Sequence, residues 1–166
     1  MSQKLNISEV LSKVPLFSGL KENWEAFGIL EKMMTVKDVP SGEMIIREGD
    51  TGDEFYILIQ GQVSISKKTP DGDSYKVVIL KSDIHPGMGE AGLIDKDTRT
   101  ATIACDVHCQ FLVLTRDQFA DFCLKYPEYA TPILQKISVM LMGRLKQTSN
   151  DLMLLHKALM GEIRGL

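Results

Sequence analysis

The sequence predicts a mainly β fold with flanking helices, on three observations. Short runs rich in β-branched and aromatic residues fill the middle of the chain, each closed by Gly, Pro or Asp. Apolar residues at helical spacing lie on both sides of that region. The runs follow one another without intervening helices, so antiparallel pairing in a sandwich or small barrel is expected, not a parallel sheet with crossover helices.

Composition bounds the possibilities. The chain has 166 residues, with 19 Lys plus Arg against 22 Asp plus Glu, a net charge of −3. That length favours one domain, expected over residues 1–166, and is enough to bury a core without disulfides or metal. The 44% apolar and 25% charged fractions are ordinary for a soluble globular protein. No apolar run approaches the ~18–20 residues of a membrane span. Residues 1–6 lack the apolar centre of a signal peptide, so a cytoplasmic location is expected. The acidic balance argues against general affinity for nucleic acid.

Residues 7–14 carry Ile7, Val10, Leu11 and Val14 on one helical face, with Ser8 as a possible cap and Pro15 as a stop. A second helix is expected over residues 22–34, with Trp24, Phe27, Leu30 and Met33 near one face. Strands are expected near 35–39, 44–47, 55–60, 62–66, 75–80, 100–105 and 110–114. Pro40-Ser41-Gly42, the stretch Gly49 to Asp53, Gly61 and Pro70-Asp71-Gly72-Asp73 supply the turns between them. The β region therefore covers 35–115, after N-terminal helices within 1–34.

Residues 116–166 are helical again: a short helix over 115–124, then a long one expected from Pro132 to about Arg164. Leu141, Leu145, Thr148, Leu152, Leu155 and Leu159 form a heptad seam with one polar position. Met140, Met142, Met153, Leu154 and Met160 widen it. Such a stripe usually covers a helix's own domain. This helix is too long for a domain of this size, so a homodimer through its far half is expected.

The three cysteines, Cys105, Cys109 and Cys123, include no Cys-x-x-Cys pair and read as buried free thiols. Cys105, His108 and Cys109 lie close together, but a fourth ligand at zinc-like spacing is missing, and no metal is expected. No nucleophile elbow, zinc-protease motif or triad is present, so the chain is not read as an enzyme.

The most unusual segment runs from Gly87 to Thr102. Its opening fits Gly-x-Gly-x-x-Gly, yet a dinucleotide site needs a full helix after the glycines, and only one turn fits here. The physics of the glycines still holds. They admit a ligand close to the backbone, and a turn starting near Ala91 offers amides to an anion. Arg99 suits phosphate oxygens, and Glu90 suits sugar hydroxyls. On spacing alone, a solvated pair of loop charges accounts for Glu90 and Arg99 more simply.

Met88-Gly89-Glu90-Ala91-Gly92-Leu93, followed by Arg99-Thr100-Ala101-Thr102, resembles the phosphate-binding cassette of the cyclic-nucleotide-binding domain family. The likeness extends over nearly the whole chain, through Pro15-Leu16-Phe17-Ser18-Gly19-Leu20, the stretch Gly42 to Asp50, and the stretch Asp53 to Val63. It implies an antiparallel, jelly-roll-like β-roll with N-terminal helices and a long C-terminal helix. It implies a ligand site in which Gly89, Ala91 and Thr100 lend the phosphate their backbone, Glu90 takes the ribose 2′-hydroxyl and Arg99 takes the phosphate. Arg144-Leu145-Lys146-Gln147-Thr148-Ser149 is similar to the dimer helix of the family's bacterial activator branch. Carried over, Thr148 reaches the adenine of its own pocket and Ser149 that of its twin; a hydroxyl bonded back to its own helix is the alternative.

Met88 in place of an aromatic and Ala91 in place of a larger apolar residue depart from the cassette, and Asp95 and Asp97 add negative charge. The expected ligand is cyclic AMP, with cyclic GMP possible because Thr100 also occurs in cyclic-GMP-binding members. The activators continue into a DNA-reading domain, whereas this sequence ends at Leu166. The expectation is a stand-alone sensor without direct DNA binding that signals to an unidentified protein, the alternative being a dimerisation scaffold with a repurposed pocket.

Overall fold

The computed structural model describes residues 6–69 and 71–164, so the expectations for Met1 to Leu5 and for Pro70 lie outside the described residues. Two helices open the chain, α1 (Ile7–Lys13) and α2 (Trp24–Met33), joined by a 3-10 turn over Pro15–Leu20. One four-stranded sheet has β1 (Thr35–Val39), β10 (Cys109–Thr115), β4 (Glu54–Gln60) and β7 (Gly87–Met88) side by side in that order. The second has β2 (Met44–Ile46), β9 (Thr102–Cys105), β5 (Gln62–Lys68) and β6 (Ser74–Lys81). A two-residue ribbon pairs β3 (Thr51–Gly52) with β8 (Asp97–Thr98). Every pairing is antiparallel. Helices α3 (Arg116–Lys125) and α4 (Pro127–Arg164) close the chain. This is the antiparallel β-roll with flanking helices that the sequence predicts.

Strand alternation sets the layering. On β4, Phe55, Ile57 and Ile59 join a core shared with the helices, while Tyr56 and Leu58 join a core between the sheets. On β10, Leu112 and Leu114 face the helices, and Cys109, Phe111 and Val113 face inward. Strands β4 and β10 thus form a middle layer, which is why they read as nearly continuous apolar runs. Full burial of each such side chain contributes roughly 1.5–3 kcal/mol.

Several local details differ from expectation. Asn6, not Ser8, caps α1, because its Oδ1 accepts from the third helical N–H, that of Glu9, at 3.2 Å. Ser8 instead donates to Glu31 across α2 at 2.7 Å. Asn23 caps α2 through the Ala26 N–H, so that helix starts at Trp24. A reciprocal box between Thr115 and Gln118 starts α3. Helix α4 begins at Pro127, one residue after the cap Tyr126, and Pro132 lies inside it. Pro127 suits the first helical position, where a missing N–H matters least, whereas Pro132, the sixth residue, leaves the Glu128 carbonyl without its usual helical donor. The short strands β3, β7 and β8 are additional to the predicted set.

At ~1.5 Å per residue, the 38 residues of α4 span about 57 Å. Ala130, Ile133 and Ile137 are buried against the helical layer, and Met140 is partly so. Beyond them Leu141, Leu145, Leu152, Leu155 and Leu159 are 40–67% exposed. No described helix is long and apolar enough to cross a membrane.

Candidate ligand-binding site

The cassette is folded by its glycines and by one strand pair at each end. Strand β7 pairs Met88 with Tyr56 of β4 and places the next residue at the rim of the roll. That residue, Gly89, has φ 82, a conformation that side chains oppose. Its carbonyl accepts the Gly92 N–H at 3.0 Å and closes a 3-10 turn over Glu90–Leu93. The chain then reaches β8, where Thr98 pairs with Thr51 and Asp97 with Gly52.

Glu90 is only 3% exposed. Its Oε1 is fully buried and accepts no hydrogen bond of normal geometry; it is ion-paired with the Arg144 guanidinium. That side chain comes from α4 and is itself 62% exposed, so one partner of the pair is dry and the other wet.

Arg99 is held at both ends. Its N–H donates to Asp50 O at 2.8 Å, and its carbonyl accepts from Gly49 N–H at 2.9 Å. Its guanidinium turns back over the cassette: Nη2 donates to Glu54 O at 2.7 Å and Nη1 to Gly89 O at 3.3 Å. The cation therefore rests on the residue immediately before Glu90. A polar cleft of about 190 Å³ lies beside it, lined by Ile46, Arg47, Asp50, Gly52, Tyr56 and Arg99 among others. The Tyr56 hydroxyl donates to the Glu54 carboxylate. Burial, and then that acceptor, push the phenol above its ordinary range, so it stays protonated at physiological pH.

Gly89, Glu90, Ala91 and Arg99 are thus gathered at one turn. Thr100 follows on an exposed bend. Thr148 and Ser149 are exposed on α4, away from the buried part of that helix. Thr148 is four residues beyond Arg144 and so shares its helical face, while Ser149 is rotated by about 100°. The part played by Arg144 is new, though the i,i+4 relation to Thr148 is visible in the sequence. Of the trio weighed for metal, Cys105 and Cys109 are buried, and His108 faces outward, 3.5 Å from Asp38.

The architecture is a helix-capped β-roll with a glycine-shaped turn at its rim. The cyclic nucleotide-binding domain family matches residues 36–126. The chain belongs to that family. It is 29% identical over 147 residues to a CRP-like cAMP-activated global transcriptional regulator of Mycobacterium tuberculosis, covering 88% of this chain and 62% of that protein. It is 30% identical over 117 residues to a cAMP-dependent protein kinase regulatory subunit of Dictyostelium discoideum, covering 69% of this chain and 35% of that protein. Among solved structures, the N-terminal domain of a transcriptional regulator from Streptomyces coelicolor superposes with a TM-score of 0.71 at 27% identity, covering 86% of this chain and 94% of that one. The chain spans less than two thirds of the length of these two curated relatives.

Proposed function

We propose that this chain is a cyclic-mononucleotide sensor, with cyclic AMP preferred over cyclic GMP, that passes binding on through α4. The observation that carries the reading is Glu90 beside Arg99: an almost fully buried carboxylate, met by the largely exposed Arg144 guanidinium, next to an arginine that rests on the same turn. Buried carboxylates are unfavourable without donors, and sugar hydroxyls are donors. In this reading Glu90 accepts from the ribose 2′-hydroxyl. Arg99 and backbone at Gly89, Ala91 and Thr100 take the cyclic phosphate. Thr148 meets the base of its own pocket and Ser149 that of a second copy, paired through the exposed leucines of α4. The chain binds and does not turn over its ligand. The names of the mycobacterial and Dictyostelium relatives, both of which refer to cAMP, agree with this ligand. The net charge of −3 favours a protein as the downstream partner over direct contact with DNA.

Calorimetry of the purified protein with cyclic AMP and cyclic GMP tests the proposal. Saturable binding is expected, tighter for cyclic AMP, and Arg99→Ala should weaken it by about 10–100-fold, the size of a lost charge-assisted hydrogen bond. Unchanged binding by that variant rejects the phosphate role of Arg99. A second reading, a dimerisation scaffold with a repurposed pocket, is favoured by one observation: Arg144 already sits on Glu90. An intact dimer that takes up neither nucleotide at millimolar concentration selects the scaffold.

A further inference from the structure

Arg99 owes its position to residues that lie outside the cassette. The stretch from Gly49 to Glu54 holds its backbone through Gly49 N–H and Asp50 O, and its guanidinium through Glu54 O. Gly52, in the middle of that stretch, faces the Nε–Nη2 edge of the guanidinium. A Cβ placed on Gly52 would fall against Arg99 Nε, and within 2.6 Å of Nη2 and 2.8 Å of Cζ. No other atom is as near, so the space that a side chain would fill is the space the guanidinium occupies.

The usual reason for a glycine does not apply at this position. Gly52 is not among the residues with positive φ, so its backbone is one that alanine can adopt. Gly89 is a contrasting case: it combines φ 82 with an Arg99 Nη1 that would lie 2.5 Å from its Cβ. Gly28 and Gly143 are different again, with nothing within 4 Å. Gly52 therefore has one visible reason to lack a side chain, and that reason is Arg99. The group that would yield to a new methyl is the mobile end of the arginine and not a fixed backbone, so the fold should tolerate the change while the guanidinium moves.

We infer that Gly52 is a positioning residue for Arg99: together with Glu54 O and Gly89 O it forms a slot that aims the guanidinium at the anion of the bound ligand. This inference rests on the reading of Arg99 as the phosphate group's partner. The fork suits the slot. Guanidinium carries five N–H donors in a fixed plane, so two carbonyls can orient it without exhausting it. A lysine has no such plane to hold. The phosphate site is thereby built from two segments 45 residues apart at the Glu54–Arg99 contact, joined by the small β3–β8 ribbon that pairs Gly52 with Asp97.

The test is a double-mutant cycle on the full chain with Gly52→Ala, Arg99→Ala and the pair, read by calorimetry with cyclic AMP and by thermal melting, with Gly28→Ala as the control glycine. Gly52→Ala should fold yet bind cyclic AMP at least tenfold more weakly, while Gly28→Ala binds as the parent does. In the Arg99→Ala background, where the clash has no partner, Gly52→Ala should change neither residual binding nor melting. A Gly52→Ala protein that binds like the parent, or losses that simply add in the double variant, overturns the inference. If the parent itself binds neither cyclic nucleotide, the functional reading falls separately. The melting cycle then decides the slot: coupled losses sustain it and additive losses reject it.

Discussion

Replacing Arg144 with alanine tests whether α4 is tied to the roll through Glu90. The carboxylate is 3% exposed, and its Oε1 has no other partner of normal geometry, so removing the guanidinium leaves a buried charge uncompensated. Breaking a fully buried pair costs about 3–5 kcal/mol, and an exposed pair is worth about 0–1 kcal/mol. Here one partner is buried and the other is 62% exposed, which puts the loss between those limits, at about 1–3 kcal/mol. For a domain of this size, 1 kcal/mol moves the melting temperature by about 2–4 °C, so Arg144→Ala should melt about 2–12 °C lower. Glu90→Gln keeps the shape and removes the charge. Adding Arg144→Ala to Glu90→Gln should therefore lower stability little further, because a neutral amide does not need the cation. Circular-dichroism melts at several protein concentrations separate this effect from any change in self-association. The reasoning is refuted if Arg144→Ala melts with the parent, or if the Arg144 loss persists undiminished beside Glu90→Gln.

Two further outcomes follow from burial. Leu152→Glu with Leu155→Glu places charges on the exposed far half of α4, where the two leucines are 67% and 63% exposed. Four leucines per dimer at roughly 1.5–3 kcal/mol each should weaken association by more than about a thousandfold, and sedimentation should then show monomer; a dimer that survives would exclude this face. Burial first, and then neighbouring Cys109, push the Cys105 thiol up to about 12. At pH 8 only about one molecule in ten thousand carries that thiolate, so a maleimide should reach Cys105 and Cys109 after unfolding and half-buried Cys123 first; rapid labelling of Cys105 in folded protein would contradict the packing.

The parts of the fold that are legible in the sequence are those with a period. Residues 35–39 form the strand their pattern predicts, and β10 extends the predicted 110–114 by one residue at each end. Helix ends are less legible, because several residues can cap and one wins on geometry, as Asn6 does over Ser8. The strands β3, β7 and β8 are two residues each, too short to show alternation. At the site, the glycines and charges of the cassette are local and therefore readable. The Glu90–Arg144 pair joins positions far apart in sequence, and nothing local announces it. Gly52 reads as one turn glycine among several until the Arg99 guanidinium is seen packed against it.

Helix α4 changes surroundings along its length, and the order of the changes matters. Ala130, Ile133 and Ile137 fasten its first turns to the helical core. Arg144 then touches the cassette, and beyond it the leucines face solvent. On the proposed reading, a ligand hydroxyl and the Arg144 guanidinium act on the same buried carboxylate. Ligand affinity and the tie of the helix to the roll are then linked, and linkage is reciprocal. A ligand can shift the helix by no more than its differential affinity for the tied and untied arrangements. The tie itself is worth about 1–3 kcal/mol by the reasoning above, which bounds coupling through this contact at roughly 5–150-fold. If Arg144→Ala changes the dependence of dimerisation on cyclic AMP by more than that range, a second contact between pocket and helix must carry the remainder. The seam residue Thr148, one turn further along, and its neighbour Ser149 are where that contact should be sought.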